Sequence, residues 1–326
     1  MVGKLRQRER GVALLAVMMA IALITLIVVD FATTVVFARL SASNQANELR
    51  AYYLARSAIA VGLGLLAEDE RNKQATPSPT GVGGGSQPDS LVDVWALPFP
   101  PMQVDGGTIN LAVVDEARKI DINGLIDPQK GDINAVQLGI ITRLFALLGI
   151  NPQIIPSIVQ WILPASAQGL LGGAGLDFYM QLRPPYSPRF SPMPTIGDLK
   201  MIAGIDEPTF LKLQPFVTVQ KETGINVNTA SPEVLEAAEP EFAEDPQLVK
   251  AIVLARTISP FAKLTDVQNL LGGATFQTPL AQVITTTSVY FTISGMGSYA
   301  GSRKLVHGVF ERQPGAPSIL MSWQED

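Results

Sequence analysis

The sequence predicts an α+β protein: a long N-terminal hydrophobic helix, then an antiparallel sheet domain with a large α-helical insertion containing two helix-hairpin-like repeats. Three observations carry this. No proline occurs between Met1 and Ala75, and apolar residues recur through that stretch at helical spacing. Strand-like segments stand at both ends of the remaining chain, with helical stretches between them. A weak internal repeat occupies the middle.

The helix comes first. From Val12 to Val29 eighteen residues have Thr25 as their only polar member, and at 1.5 Å per residue they make about 27 Å of helix, enough to cross a hydrocarbon core. A cleaved secretory signal has a shorter apolar region, roughly 7–15 residues, and a small-x-small site; "ARLSAS" at Ala38–Ser43 is a poor version of one. The leader, Met1 to Gly11, sets Lys4, Arg6, Arg8 and Arg10 against Glu9. By the positive-inside rule its end stays in the cytoplasm and the rest of the chain is exported. Phe31, Val35, Val36, Leu40, Leu49, Tyr52, Tyr53, Ala58, Ile59, Val61, Leu65 and Leu66 continue the helical spacing. One helix is therefore expected from Val12 to about Glu70, roughly 90 Å long, half of it beyond a bilayer. Asp30 falls where the spanning part ends, and Gly62 and Gly64 are expected to loosen the last turns. On this pattern alone the chain is a membrane anchor with a helical stalk.

Proline and glycine in "NKQATPSPTGVGGGSQPDS", Asn72 to Ser90, end the helix and make a linker. Behind it, Thr108 to Asp115 reads as a glycine-led strand, Glu116 to Arg118 as a turn and Lys119 to Ile122 as a second short strand. At the far end, Ser288–Gly297 and Ser302–Arg312 form a hairpin candidate, and Ser318–Trp323 adds an edge strand. The repeat lies between: "KIDINGL" (Lys119–Leu125) and "GINVNTASPEVL" (Gly224–Leu235) open its halves, followed by helical stretches at Ile133–Leu148 and Asp245–Thr257. Ser191–Val219 then matches Ser259–Ile293 in order: Ser-Pro, a capped helix, a glycine turn, a second short helix and a threonine-rich exit. Thr229 or Ser231 is the N-cap before Pro232, and Glu233 suits the positive helix end. The expected division is 1–11 leader, 12–72 membrane or filament helix, 73–118 linker and first strands, 119–286 inserted helical domain and 287–326 last strands.

Composition excludes several functions. Removing the leader's four basic and one acidic residue from totals of 24 and 29 leaves 20 and 28, a net charge of −8. An acidic exported domain is a poor binder of polyanions. There is no cysteine, so there are no disulfides, thiolate metal sites or cysteine nucleophile. His307 is the only histidine, in a strand-like stretch without a serine or metal constellation, and no catalytic residue is assigned.

Gly11 between "KLRQRER" and "VALLAVMMAIAL" resembles a type IV prepilin leader. That resemblance implies a peptidase cut between Gly11 and Val12 on the cytoplasmic side, with methylation of the new amino end, so that the apolar segment anchors the chain first and packs in a filament later. Most such subunits carry glutamate at the fifth mature position; here it is Ala16. In the family's logic that glutamate pairs with the amine of the subunit ahead, since a buried charge is costly unless paired. Its absence at Ala16 implies a filament-tip position.

The order of motifs extends the likeness over nearly the whole chain. "RAYYLARSAI", "DEARKIDINGL", "LFALLGI", "IVQWI" before "GAGLDFY", "TIGDLKMIAGI", "INVNTASPEVL" and terminal "ILMSW" are similar to the K minor pseudopilin family of the type II secretion system. The resemblance implies an inner-membrane, single-pass protein with a periplasmic domain, capping the pseudopilus tip with the I and J minor pseudopilins. Its further partners would be the major pseudopilin, the prepilin peptidase and the inner-membrane assembly platform, with no nucleic acid. No cofactor is required. Family members bind calcium, but here Gln160, Leu163 and Pro164 flank Trp161, and Asp177 is the lone metal candidate near Tyr179. A hard-cation site needs about 6–8 oxygens, so this loss of acids argues against calcium. Two alternatives remain. One is a minor pilin of a type IV pilus, against which the insertion argues. The other is a membrane-anchored helix-hairpin-helix DNA receptor, which "NVNTASPEVL" resembles; its turn "EAAEPEFAED" is acidic and lacks the glycine that would hold phosphate.

Overall fold

The structure is a computed structural model that describes residues 2–75, 87–127, 129–164, 172–272, 276 and 278–325, with the side chains of the first helix described over 12–73. Most of the predicted linker, residues 76–86, lies outside the described residues. In chain order the elements are α1 (Val2–Ala75), β1 (Met102–Val104), β2 (Gly107–Asp115), β3 (Ile120–Asp121), α2 (Ala135–Leu147), α3 (Ile155–Ile162), α4 (Leu176–Met180) and α5 (Glu207–Leu213). They continue with β4 (Val217–Thr218), β5 (Ile225–Asn226), α6 (Pro232–Ala238), α7 (Pro240–Glu244), α8 (Pro246–Ile258), α9 (Leu264–Leu270), β6 (Ile284–Thr285), β7 (Tyr290–Tyr299), β8 (Ser302–Glu311) and β9 (Ile319–Glu325).

Five strands form one antiparallel sheet in the order β1-β2-β7-β8-β9. The β2–β7 pairing is unbroken from Thr108↔Ser298 to Asp115↔Phe291. The chain therefore leaves the sheet at Asp115 and returns at Tyr290 on the neighbouring strand, at the same end, and the helices between form an excursion from that end. Two hydrophobic cores result. Leu54, Ala58, Ile59, Leu66, Trp95, Ile109, Leu111, Phe291, Ile293, Val306 and Phe310 fill the space between α1 and the sheet. Ile122, Leu144, Phe145, Trp161, Tyr179, Leu235 and Phe242 lie in the second core, inside the excursion.

The fit of α1 to the sheet comes from small residues on both sides. Along β7 the covered face reads Phe291, Ile293, Gly295, Gly297 at the strand period of two. Along α1, Ala51, Ala55 and Ala58 are completely buried. A Cβ on Gly295 would collide with the Ala55 carbonyl, and one on Gly297 with the Ala51 carbonyl. Helix backbone thus lies directly on strand backbone, which is what glycine inside a strand commonly signifies. Gly62 belongs to the same contact, since a Cβ there would meet Ile293. The expectation that Gly62 and Gly64 loosen the helix end is corrected: α1 runs eleven residues past Gly64 to Ala75, because docking on the sheet outweighs a propensity cost of about 1 kcal/mol per glycine.

Turn chemistry sets the sheet register. Asp105 and Gly106, both at positive φ, close β1 onto β2 in a two-residue turn, and Ala300 and Gly301 do the same between β7 and β8. Asp-Gly flanked by strand residues is a strong hairpin signal. It identifies β1, which the strand reading began too late to include.

In the excursion the repeat has a simple meaning. β3 pairs in parallel with β4, and β5 with β6, so each half opens and closes with strands that lie side by side. In each half an asparagine fastens the Ser-Pro segment. Asn123 donates to the Met193 and Val219 carbonyls and accepts from Met193 N–H; Asn228 donates to the Phe261 carbonyl and accepts from Phe261 N–H. The N-cap of α6 is Ser231, while Thr229 donates to buried Asp115 instead. The paired helices differ in kind. Ile196–Met201 is a 3-10 helix where the second half has α9, and Leu280–Gln282 is 3-10 where the first half has α5.

Gly297→Val places a branched side chain between two backbones that cannot separate without lifting α1. It is expected to lower stability by at least about 2 kcal/mol, measured by denaturant unfolding of the protein.

Candidate functional site

The residues assigned from sequence lie on different parts of the molecule. Gly11 and Val12 sit within the unbroken run of α1; Val12 is 69 % exposed, and Ala16 is exposed on the same bare segment. From Val12 to Ala46 every residue is exposed, about 50 Å of helix, and Arg50, which donates to Tyr299, marks where contact with the sheet begins. Val17, Ile24, Val28, Val36 and Leu40 are exposed there. Among the described residues α1 is the one helix long and apolar enough to cross a membrane. A surface of this kind is satisfied by lipid or by the apolar helices of other subunits.

Asp177 is elsewhere, exposed in the first turn of α4. The tryptophan and tyrosine motifs that frame it do come together. The ring centroids of Trp161 and Tyr179 are 5.4 Å apart, and those of Tyr179 and Tyr186 are 5.2 Å apart. Tyr179 accepts from Ala203 N–H, and burial raises its pKa. Aromatic packing fills this spot, and Asp177 brings one carboxylate to a site that would need about 6–8 oxygens. These residues do not fit a calcium ion. His307 pairs at 2.8 Å with Ser294, its cross-strand neighbour.

A cluster the sequence did not announce holds the architecture together. Asp89 is fully buried where the end of α1, the segment after residue 86, the last turn of the excursion and the end of β8 meet. Arg312 reaches both its oxygens, at 2.8 and 2.5 Å. Lys73 reaches Oδ1 at 2.6 Å, and Ser288 N–H donates to Oδ2 at 2.7 Å. Burial alone would raise the Asp89 pKa; the Arg312 bond and the two cations outweigh it and hold the carboxyl below the usual range. Asp69, Asp89 and Asp93 converge as a cation's ligands would. The cation is already supplied: the Lys73 ammonium lies 2.8, 2.6 and 3.1 Å from one oxygen of each. The Arg312 guanidinium also stacks 4.7 Å from the centroid of Phe291, which packs edge-on against Trp95.

From this hub a polar seam follows the junction between sheet and excursion. Asn226 donates to the Asp89 carbonyl and to Ser288 Oγ, while Ser288 and Thr229 both donate to Asp115 Oδ2. Glu116 accepts from Thr292 and Thr218. Glu222, in the segment between the two repeat halves, accepts from the backbone N–H groups of Val289 and Tyr290, where the chain returns to the sheet. Burial pushes its pKa up to about 8. The partners are mostly more than sixty residues apart in sequence, so no local spacing reveals them.

The comparisons agree with this architecture. Two family models, both described as type II secretion system (T2SS), protein K, match residues 118–222 and 225–287. They divide between β4 and β5, where the two halves of the repeat meet, and together span just over half of the chain. The chain is similar to type II secretion system protein K of Pseudomonas aeruginosa, 26 % identical over 270 residues that cover 80 % of this chain and 77 % of the relative. It is likewise similar to that of Klebsiella pneumoniae, 28 % identical over 265 residues and covering 76 % of each. Its fold is similar to a chain in the crystal structure of the GspK-GspI-GspJ complex from the type 2 secretion system of enterotoxigenic Escherichia coli. The TM-score is 0.69 at 18 % identity, over 88 % of this chain and 99 % of the other.

Two outcomes are expected of the polar seam. Arg312→Ala leaves Asp89 buried with half its counter-charge, and unfolding in denaturant should show a loss of about 3–5 kcal/mol. Glu222 keeps its proton in the folded state up to about pH 8 but loses it near 4.5 when unfolded. Stability therefore falls as pH rises through that window. Glu222→Gln should flatten the fall, with a gain that grows from pH 5 to pH 8 in melting curves.

Proposed function

The chain belongs to the type II secretion system protein K family, and on that premise we propose that it caps the tip of the pseudopilus, nucleates its assembly and so supports export of folded proteins across the outer membrane. The observation that carries this reading is α1 itself: one unbroken helix, apolar and bare over its first half, and seated on the sheet over its second. Such a helix is an inner-membrane anchor before assembly and a filament strut after it, with no hinge between anchor and head. The positive leader keeps the amino end cytoplasmic and the head periplasmic. Cleavage by the prepilin peptidase after Gly11 frees the amine of Val12. That amine can receive a glutamate from the subunit behind, while Ala16 offers nothing to a subunit ahead. The helices of the I and J minor pseudopilins and of the major pseudopilin pack along the bare face, and the assembly platform of the inner membrane draws the complex into the growing filament. The excursion of residues 116–289 makes the head too bulky for another subunit to stack over it.

The mature amino terminus tests this reading. Mass spectrometry of protein isolated from its native membrane should show methylated Val12, and Gly11→Ala should leave the leader attached and abolish secretion. An intact Met1, or a cut beyond Val29, overturns it.

A further inference from the structure

Six acidic residues and no basic one occupy the stretch from Glu233 to Asp245. Glu233, Glu244 and Asp245 are exposed, so water answers their charge. Glu239 is placed differently. It stands between the last residue of α6 and Pro240, the first of α7, and it is 1 % exposed. Neither of its carboxyl oxygens has a hydrogen-bond partner among the described residues. A buried polar group in that condition is costly, and far more so when it carries a charge.

The position is a joint. α2, in the first half of the excursion, packs on α6, in the second. Arg143 of α2 ties the two together, donating from Nε to the Ala237 carbonyl at 2.8 Å and from Nη2 to the Ala238 carbonyl at 2.9 Å. A guanidinium on the last carbonyls of a helix suits the negative end of its dipole. Arg143 is also the cation that acts on Glu239, and Glu241, from α7, is the acid that acts on it. α8 packs on both α6 and α7 but brings neither of its cations, since Lys250 is exposed and Arg256 donates to the Val227 carbonyl. Burial and Glu241 outweigh Arg143 and the Thr278 N–H, and push the Glu239 pKa up to about 7.

Two arrangements follow from one guanidinium and two claims on it. While the Glu239 carboxyl is neutral, Arg143 stays on the end of α6. Once the carboxyl is ionised, its charge is uncompensated until Arg143 turns to it, and that turn breaks the bonds to Ala237 and Ala238.

We propose that a proton on Glu239 latches the joint between the two halves of the excursion. While it is bound, Arg143 caps α6; when it leaves to solvent, Arg143 moves to the carboxylate, and α6 and α7 loosen from α2. The sign follows from a raised folded pKa: the latch is closed at lower pH and opens as pH rises through about 7. This device lies beyond the tip reading and does not depend on it.

Amide hydrogen exchange of the full chain in detergent micelles, read by mass spectrometry and corrected for the intrinsic rate at each pH, tests the latch. Protection of residues 232–244 should fall by about tenfold or more between pH 6 and pH 8.5. In Glu239→Gln, which is neutral at both, the segment should keep its pH 6 protection throughout. Glu241→Gln removes the acid that favours the proton on Glu239, so the fall should move to lower pH. Protection that stays level from pH 6 to pH 8.5 overturns the proposal, as does a fall that Glu239→Gln retains, which would place its cause at another carboxyl such as Glu222. A fall that Glu241→Gln leaves at the same pH overturns it too, and decides the matter even where Glu239→Gln does not fold.

Discussion

The carbonyls of Ala51 and Ala55 rest on Gly297 and Gly295, and the rest of the molecule depends on that contact. Side chains on either surface would hold helix and strand apart. Here Ala51, Ala55, Ala58 and Gly62 fall on one face of α1 about one turn apart, and the covered face of β7 offers two successive glycines. The consequence is positional. A helix held by its own backbone against a strand can neither roll nor slide without a backbone collision, so its axis is fixed on the sheet. The same helix continues for about 50 Å through the bare apolar segment. Whatever that segment packs against, the direction of the head relative to it is already set.

Fixing the axis also brings the last turns of α1 to the corner where Asp89 is buried. Burying a carboxylate costs several kcal/mol unless it is paired and hydrogen-bonded. Asp89 has two cations from elements far apart in sequence, Lys73 and Arg312, and an N–H from Ser288. The three donors belong to the helix, the sheet and the exit of the excursion. The corner is therefore satisfied only when all three are in place. Two separate apolar cores are in this way tied at a polar junction, which continues through Asn226, Asp115 and Glu222. Main-chain and hydroxyl donors fill that junction, so the excursion is held in orientation as well as in position.

Much of this was legible in the sequence because it is periodic or punctuated. The unbroken helix was visible as 75 residues without proline, the β7–β8 hairpin as two alternating runs around small residues, and the excursion as a repeat whose halves begin with "KIDING" and "GINVNT". Strand β1 was missed: Asp105–Gly106 is its signal, but its three residues are too short to register as an alternating run. The function of Asn123 and Asn228 was half legible. Their matching places mark the repeat, but the Met193 and Phe261 backbones they hold lie seventy and thirty-three residues away. The hub was not legible at all. Asp69, Lys73, Asp89, Asp93 and Arg312 look like an ordinary solvated scatter of charge until the fold brings them together. The reading of Gly62 failed for a related reason. Helix propensity is a local preference of about 1 kcal/mol, and the cost of a Cβ against Ile293 is set by a strand 231 residues away.

The tip reading gives α1 and the excursion one polarity in two different ways. In the tip reading, Ala16 lacks the carboxylate that would reach a subunit ahead, so the helix could be followed but would have nothing to follow. In the same reading the head would add a steric reason that does not depend on the first, because the excursion leaves the sheet from the end where Asp115 and Tyr290 lie side by side. The electrostatic constraint, in α1, and the steric one, in the excursion, have no residue in common. Restoring a glutamate at Ala16 would undo only the first, and shortening the excursion only the second. In the tip reading both act on one event, the addition of a subunit ahead, and each is enough to prevent it.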